Sequence, residues 1–368
     1  MSKALKYRRV AVKVGSNVLT QPDGTLDIAR IAQLVDQIAA LRRNGVEVIL
    51  ISSGAVAAGR MEMGNNKKLD AVSARQLFSA VGQVKLINRY SYLFRDYGFF
   101  CAQVLATKEN FKDRRHYLNM RNCIDTMLEN NVIPIVNEND TVSVTELMFT
   151  DNDELSGLIA SMMKCEALII LSNINGIYTG HPDENGTELI TEIGSDQNDL
   201  DQYISSSKSE FGRGGMATKC HIAQKIAAEG IHVHIANGKH ENVLQRIVFK
   251  DENIAHTHFV PSNNNSSEVK KWLAHSDSFA RGSVKINKGA EEVLFSEKAS
   301  SLLLVGVVEV EGYFKKNEVV KIVNEEGEEI GVGKSRYDSE KAKRKLDEPK
   351  GRVLVHYDYL YLDQRVKI

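Results

Sequence analysis

Val10-Ala11-Val12-Lys13-Val14 runs directly into Gly15-Ser16-Asn17. Five residues of strand character carry a lysine at the fourth position, and a glycine then lets the backbone turn sharply. Such a segment places one cation at the mouth of a parallel sheet, over backbone that can approach phosphate closely. An isolated lysine here would simply be a solvated strand end. The polar strand ends further along the chain argue for a ligand instead.

Outward from this strand the chain alternates helix and strand. Residues 28–43 place apolar residues at helical spacing, closed by Asn44-Gly45. A strand over 47–51 delivers Ser52-Ser53-Gly54-Ala55 to a small-residue stretch ending at Gly59. Ser53 reads either as a helix N-cap or as a group beside an anion held at a helix N-terminus. A long helix over 73–97, a strand over 99–105 and a helix over 117–129 follow, then a strand over 132–136. That strand ends in Asn137-Glu138-Asn139-Asp140, four polar residues where open α/β sheets bind ligands. Residues 142–149 resemble a hairpin or excursion. Asp151-Asn152-Asp153 then opens a helix over 155–163; capping accounts for one of these residues but less well for three. A strand over 167–171 ends in Ser172-Asn173. Residues 194–210 read as a mobile loop, and Gly212-Arg213-Gly214-Gly215-Met216-Ala217-Thr218-Lys219 enters a helix over 220–229. A glycine cluster ending in lysine suits phosphate, although the spacing is not that of a Walker A motif. His232 and His234 share one face of a strand over 231–236, and alternation with no further ligand points to a structural role.

The expected fold is therefore α/β, a mainly parallel sheet with helices on both faces, with domain boundaries at 1–260, a linker at 261–280, and a small β-rich domain at 281–368. A chain of 368 residues exceeds what one core usually serves. Gly331-Val332-Gly333-Lys334-Ser335 imitates a P-loop ending, but Glu328 stands where its first glycine belongs, so a hairpin turn is expected. A net charge of −1 provides no global field for nucleic acid or anionic membrane. Four scattered cysteines without a C-x-x-C pair argue against a zinc site or disulfide framework; with no apolar run long enough for a membrane helix and no signal peptide, a cytoplasmic protein is expected.

Two lysines on glycine-rich turns suggest charge neutralisation on a transferring phosphoryl group. No Ser/His/Asp or Cys/His set suggests a nucleophile with a partner base. The segments VAVKVGSNVL (10–19), ISSGAVAAGR (51–60), PIVNENDTV (134–142), FTDNDELSGLIA (149–160) and GRGGMATK (212–219), in that order, resemble the glutamate 5-kinase family of the amino-acid kinase superfamily. Residues 281–358 resemble the PUA domain that follows the kinase domain in many bacterial members. The resemblance implies ATP-dependent phosphorylation of the L-glutamate γ-carboxylate, the first step of proline biosynthesis, with Mg²⁺ accompanying ATP and no protein-bound metal. It implies that Lys13 and Lys219 contact the transferring group and that Asp153 orients them. It implies that Ser53, Gly54, Asn137, Asp140 and Asn152 bind glutamate, and that Gly15, Ser172, Asn173, Gly214, Gly215 and Met216 line the nucleotide with the two lysines. Ser172-Asn173 stands where the family commonly has Thr-Asp. Feedback inhibition by proline and a dimer or tetramer are implied as well. Two alternatives remain at this point: another amino-acid kinase, acting on aspartate, acetylglutamate, carbamate or a nucleoside monophosphate, and an RNA-binding protein acting through its PUA domain. The basic stretch Lys341–Lys345 is flanked by acids and reads as a solvated helix.

Overall fold

The computed structural model describes residues 4–64, 69–112, 114–142, 149, 151–180, 186–194, 215–249, 254–262, 280–296, 300–346 and 352–362. The chain divides into two compact units, Met1–Asn264 and Asn265–Ile368. In the first unit the strands are β1 (Arg9–Val14), β2 (Glu47–Ser52), β3 (Phe100–Ala106), β4 (Val132–Glu138), β5 (Ala167–Ser172), β6 (Ile177–Tyr178), β7 (Leu189–Ile190), β8 (Glu192–Ile193), β9 (His232–Asn237) and β10 (His256–Phe259). Its helices are α1 (Ser16–Leu19), α2 (Ile28–Arg43), α3 (Ala55–Met63), α4 (Ala71–Asp96), α5 (Lys108–Lys112), α6 (Arg114–Glu129), α7 (Asn152–Met162), α8 (Met216–Ala228) and α9 (Val243–Val248).

Eight strands form one sheet in the order β3-β4-β2-β1-β5-β9-β10-β8, and only the β9–β10 pair is antiparallel. β1 lies at the point where the winding reverses, with β2 parallel on one side and β5 parallel on the other. That is the switch point at which open α/β sheets leave a crevice. Both faces of β1 are covered, which is why it reads as a nearly unbroken apolar run. Val10, Val12 and Val14 enter a core with residues of α2, α4 and α9, including Ile31, Leu34, Tyr90, Phe94 and Leu244. Alternation sends Lys13 to the opposite face, where α7 runs across β1.

Several boundaries differ from expectation. α2 spans 28–43 as the spacing predicts, capped by Asp27 and closed at Gly45 with φ +82°. β4 runs two residues further than its apolar stretch, because the β3 ladder continues through Leu105↔Asn137 and Ala106↔Glu138. α7 and α8 each start earlier than the apolar periodicity suggests. In α7 only Asp151 caps, accepting from the Asp153 and Glu154 N–H groups, so Asn152 and Asp153 are released for other contacts. The expected excursion at 142–149 and the mobile loop at 194–210 lie almost wholly outside the described residues.

α3 and α4 cross with their backbones in contact. A Cβ on Gly59 would lie 1.8 Å from the Phe78 carbonyl oxygen, and one on Gly82 would lie 1.7 Å from that of Ala55. Only glycine at both positions permits this approach, and it ties the turn after β2 rigidly to the long helix.

The second unit has its own six-stranded sheet in the order β12-β16-β15-β14-β11-β13, from β11 (Gly282–Ile286), β12 (Leu302–Leu303), β13 (Val307–Gly312), β14 (Val319–Val323), β15 (Glu329–Ser335) and β16 (Val353–Leu362). Its core surrounds Phe314, with Val284, Ile322, Ile330 and Leu354. The P-loop imitation is strand rather than the expected hairpin turn. Ile330 and Val332 of β15 are buried on one face, and a Cβ on Gly331 would meet the Tyr361 carbonyl oxygen at 2.3 Å. Its glycines serve close strand approach. The basic stretch lies on the helix Ser339–Lys345, capped by Asp338, with Lys343, Arg344 and Lys345 in its last turn.

Candidate active site

The end of β1 is stitched to both neighbouring strands. The Ser53 N–H donates to the Val14 carbonyl at 3.1 Å, and the Gly15 N–H donates to the Leu171 carbonyl at 3.2 Å. The Gly15 N–H is therefore engaged in the sheet. Its missing side chain keeps space open beside the Lys13 ammonium, from which a Cβ would be 3.5 Å away. Gly54 is the N-cap of α3 at φ +103°, a left-handed conformation that glycine alone adopts without strain. Ser53 is not the cap. Its hydroxyl accepts from Asn152 Nδ2 at 2.8 Å.

These elements open onto a cleft of about 700 Å³. At its centre, Lys13 Nζ lies 2.5 Å from Asp153 Oδ1, and Lys219 Nζ lies 3.0 Å from Asp153 Oδ2. Lys13 comes from β1, Asp153 from the first turn of α7 and Lys219 from the first turn of α8. Asp153 is fully buried and both lysines are nearly so. Burial opposes ionisation of Asp153, but the two ammoniums outweigh it and hold its carboxyl well below the usual range. Counted by themselves, the two ammoniums and one carboxylate of the triad carry one positive charge. A buried ionic triad with that surplus is poor stabilisation and good preparation for an anion. Beside it, the Asp151 carboxyl is pushed up to about 7, first by burial and then by the Asp153 charge.

One side of the triad, at the ends of β2 and β4, carries Ser53, Gly54, Asn137, Asp140 and Asn152. Asn152 Nδ2 donates to Ser53 Oγ and, at 3.0 Å, to Asn137 Oδ1. Asn152 Oδ1 is buried with no hydrogen-bond partner among the described residues. Asp140 accepts from Ser79 Oγ at 3.3 Å and pairs with Arg75. The other side, at the end of β5 and the start of α8, carries Ser172, Asn173, Gly215 and Met216. The Ser172 hydroxyl donates to Asn173 Oδ1 at 3.3 Å. Gly214 lies outside the described residues, while Gly215 is the extended N-cap of α8. Sequence reasoning missed Arg75 altogether and did not single out Glu138, whose carboxylate lies 3.0 Å from Arg75 Nη2. An arginine inside a long helix carries no local signal of this kind.

His232 and His234 belong to a separate cluster toward the other end of β9, with His256 and His258 of β10. His256 Nδ1–H donates to the Ile254 carbonyl at 2.8 Å, which leaves Nε2 to accept from His234 Nδ1–H at 3.0 Å. His234 Nε2 then accepts from the Tyr7 hydroxyl at 2.9 Å. His232 Nδ1 and His258 Nε2 are 2.9 Å apart. Every hydrogen bond of this network is satisfied by neutral rings. Burial lowers the pKa of all four histidines, that of His258 to about 4. Among the described residues no group of three or more His, Cys, Asp or Glu is arranged to hold a metal.

Comparison with known proteins places this geometry. The model of the Amino acid kinase family matches residues 8–237, and that of the PUA domain matches residues 282–353. The glutamate 5-kinase of Bacteroides thetaiotaomicron is 57% identical over 97% of this chain and 99% of its own length. That of Chlorobaculum tepidum is 47% identical over 97% of this chain and 98% of its own length. Among solved structures, a carbamate kinase from Giardia lamblia bound to AMP-PNP shares the fold, with a TM-score of 0.51 at 16% identity over 70% of this chain and 99% of its own. No helix among the described residues is long and apolar enough to cross a membrane. The chain is a kinase that belongs to the amino acid kinase family, in its glutamate 5-kinase branch, with a PUA domain in the second unit.

Proposed function

We propose that this chain transfers the γ-phosphoryl group of ATP to the γ-carboxylate of L-glutamate, forming L-glutamyl 5-phosphate for proline biosynthesis. The observation that carries this is the buried triad in which Lys13 and Lys219 share Asp153. The attacking carboxylate is already an anion, so no general base is required. The barrier is mostly repulsion between that carboxylate and the triphosphate, which two fixed ammoniums reduce at the centre of transfer. Asp153 keeps both lysine side chains extended toward one point. β1 stands between β2–β4 and β5–β9 in the sheet, so Lys13 separates a glutamate half from a nucleotide half, as in-line transfer requires. Ser53, Gly54, Asn137, Asp140 and Asn152 serve the first; Gly15, Ser172, Asn173, Gly214, Gly215 and Met216 serve the second. The unmet Asn152 Oδ1 and the Asp140 carboxylate suit an α-ammonium.

The family uses ATP with a divalent metal, here proposed to be Mg²⁺. Both Asp153 oxygens face lysines, so these residues fit a metal held chiefly by phosphate oxygens and water. When bound, it supplies further neutralisation of the phosphates. The same reading takes residues 1–260 as the kinase domain and 281–368 as the PUA domain, in a cytoplasmic homo-oligomer inhibited by proline at or overlapping the glutamate half. Four cysteines outside any disulfide accord with a reducing compartment.

The test is ADP release that depends on glutamate, with hydroxylamine trapping the acyl phosphate. Turnover unchanged when glutamate is omitted, or sustained equally by aspartate, acetylglutamate or carbamate, would overturn the assignment. Added proline checks competition in the same assay, and light scattering reads the assembly.

A further inference from the structure

β5 leaves the sheet through a turn over residues 173–176, and β6 begins at Ile177. Ser172, Asn173 and Ile174 line the cleft. A short connection that carries ligand contacts is usually among the less stable parts of a fold. This one is fastened at three points. At its start, the Gly238 N–H donates to the Ser172 carbonyl at 2.8 Å. At its end, the buried Thr257 of β10 takes the Ile177 N–H on Oγ1 at 2.8 Å and donates to the Ile190 carbonyl at 2.6 Å. A Cβ on Gly176 would lie 2.3 Å from that same hydroxyl oxygen. In the middle, Asn175 Oδ1 accepts from His240 Nε2 at 2.8 Å and from Asn237 Nδ2 at 3.3 Å.

The middle fastening reaches across from the turn after β9. An amide oxygen only accepts, so His240 carries a proton on Nε2. The β9 turn is held without help from Asn175. The His240 N–H donates to the Asn237 carbonyl at 3.2 Å, and Asn237 Oδ1 accepts from the Lys239 N–H at 2.9 Å. The Lys239 carbonyl accepts from Arg30 Nη1 of α2 at 3.1 Å. Gly238 packs so closely on α1 that a Cβ there would lie 2.7 Å from Val18 Cγ1. Neither Asn175 nor His240 lines the cleft. His240 therefore joins a turn anchored on α1 and α2 to the turn that faces the ligand. A turn ordered in advance spares binding the entropy of ordering it.

We propose that His240 is a positioning residue for the nucleotide half of the cleft: by donating from Nε2 to Asn175 Oδ1 it holds the turn after β5 in the conformation that receives the nucleotide. This rests on the nucleotide reading of Ser172 and Asn173 above. The test is calorimetric titration of the full chain with ADP, beside steady-state kinetics, for wild type, His240→Ala, His240→Gln, His240→Asn and Asn175→Ala. In His240→Ala, ADP binds about three- to tenfold more weakly and the KM for ATP rises alike, the range expected for one lost hydrogen bond. The KM for glutamate and kcat stay within about twofold, because the lost contact acts on nucleotide binding and not on the transfer step. Glutamine places an amide N–H where Nε2 stands and asparagine one where Nδ1 stands, so His240→Gln recovers ADP affinity and His240→Asn does not. The double variant with His240→Ala and Asn175→Ala binds ADP no more weakly than Asn175→Ala alone, because both changes remove the same contact. ADP affinity unchanged in His240→Ala overturns the proposal, as does an equal rise in the KM values for ATP and glutamate. Should His240→Ala fail to fold, the comparison of His240→Gln with His240→Asn decides, and equal ADP affinity in those two overturns the proposal. Wild-type protein that does not bind ADP overturns the nucleotide reading and this proposal together. Wild-type binding that none of the His240 variants weakens overturns this proposal alone.

Discussion

One sheet carries two buried polar clusters, and they are built on opposite terms. At the carboxyl edge of β1, Lys13 and Lys219 share the single Asp153 carboxylate, and Asn152 Oδ1 has no hydrogen-bond partner among the described residues. Further back along β9, four histidines and Tyr7 close a hydrogen-bonded network with neutral rings. Both clusters are dense in groups that chemistry uses. Only the first is incomplete without a ligand. Unmet charge and unmet acceptors, rather than the density of polar residues, mark the site.

The largest effect that separates the two is expected from Asp153→Asn. Releasing the two lysines from their shared carboxylate should lower kcat by about 10²–10³. It should also destabilise the ligand-free protein by about 3–5 kcal/mol, since two buried ammoniums lose their counter-charge. ATP supplies a replacement anion, so thermal melting should show a larger ATP-induced shift in the variant than in wild type. An equal shift would remove the contrast between an open and a closed cluster.

Next comes the α3–α4 crossing. Gly82→Ala places a methyl group against the Ala55 carbonyl and should cost at or above the upper end of the about 1–3 kcal/mol typical of overpacking. The loss should be local to the cleft end. Hydrogen exchange should quicken in α3 and the first half of α4, with protection in β9 and β10 retained. Uniform loss of protection would mean that the two ends of the sheet unfold as one.

The clusters also titrate with opposite signs. Asp151 has its folded pKa raised to about 7, so the folded state holds its proton more tightly than the unfolded chain does. Its contribution is present at low pH and is lost as pH rises from about 4 through about 7. The histidines have lowered folded pKa values, so theirs is present above about 6.5 and is lost as pH falls toward about 4, the value for His258. Each group contributes a slope of about 1.4 kcal/mol per pH unit within its window. Asp151→Asn preserves a capping side chain and removes the acid, so urea unfolding should show it gaining about 2 kcal/mol on wild type between pH 5 and pH 7. No gain would place the Asp151 proton elsewhere.

The smallest effect is expected from Tyr7→Phe. It removes the donor to His234 Nε2 and should cost about 1–2 kcal/mol of stability, with turnover within about twofold of wild type. Tyr7 keeps its proton at any working pH, because burial and then Glu166 push its pKa up to about 12. A fall in turnover would tie the histidine end to catalysis.

The alternation of strands and helices was legible because apolar runs stop abruptly close to strand ends, as at Ile51 and Leu171, one residue before β2 and β5 end. Helix starts were less legible. Asn152, Asp153 and Met216 to Lys219 read as the approach to helices starting at 155 and 220, since the first turn of a helix tolerates polar residues whose partners are remote. Arg75 gave no signal, because its partners Glu138 and Asp140 are more than sixty positions away. The glycines of β15 misled in the other direction, because close strand approach and a turn both call for glycine.

By itself, then, the sequence determines the order of the elements, the strand ends that bear polar residues and, through five ordered motifs, the family. Local propensity and periodicity act over a few residues, which is the range a sequence displays directly. Only the tertiary structure decides that Lys13, Asp153 and Lys219 meet at one point, that Arg75 pairs with Glu138 and Asp140, and that the histidines hydrogen-bond one another. Those outcomes depend on sheet order and helix crossing, which bring together residues up to 206 positions apart, and charge in a buried space is set by what stands nearby in three dimensions.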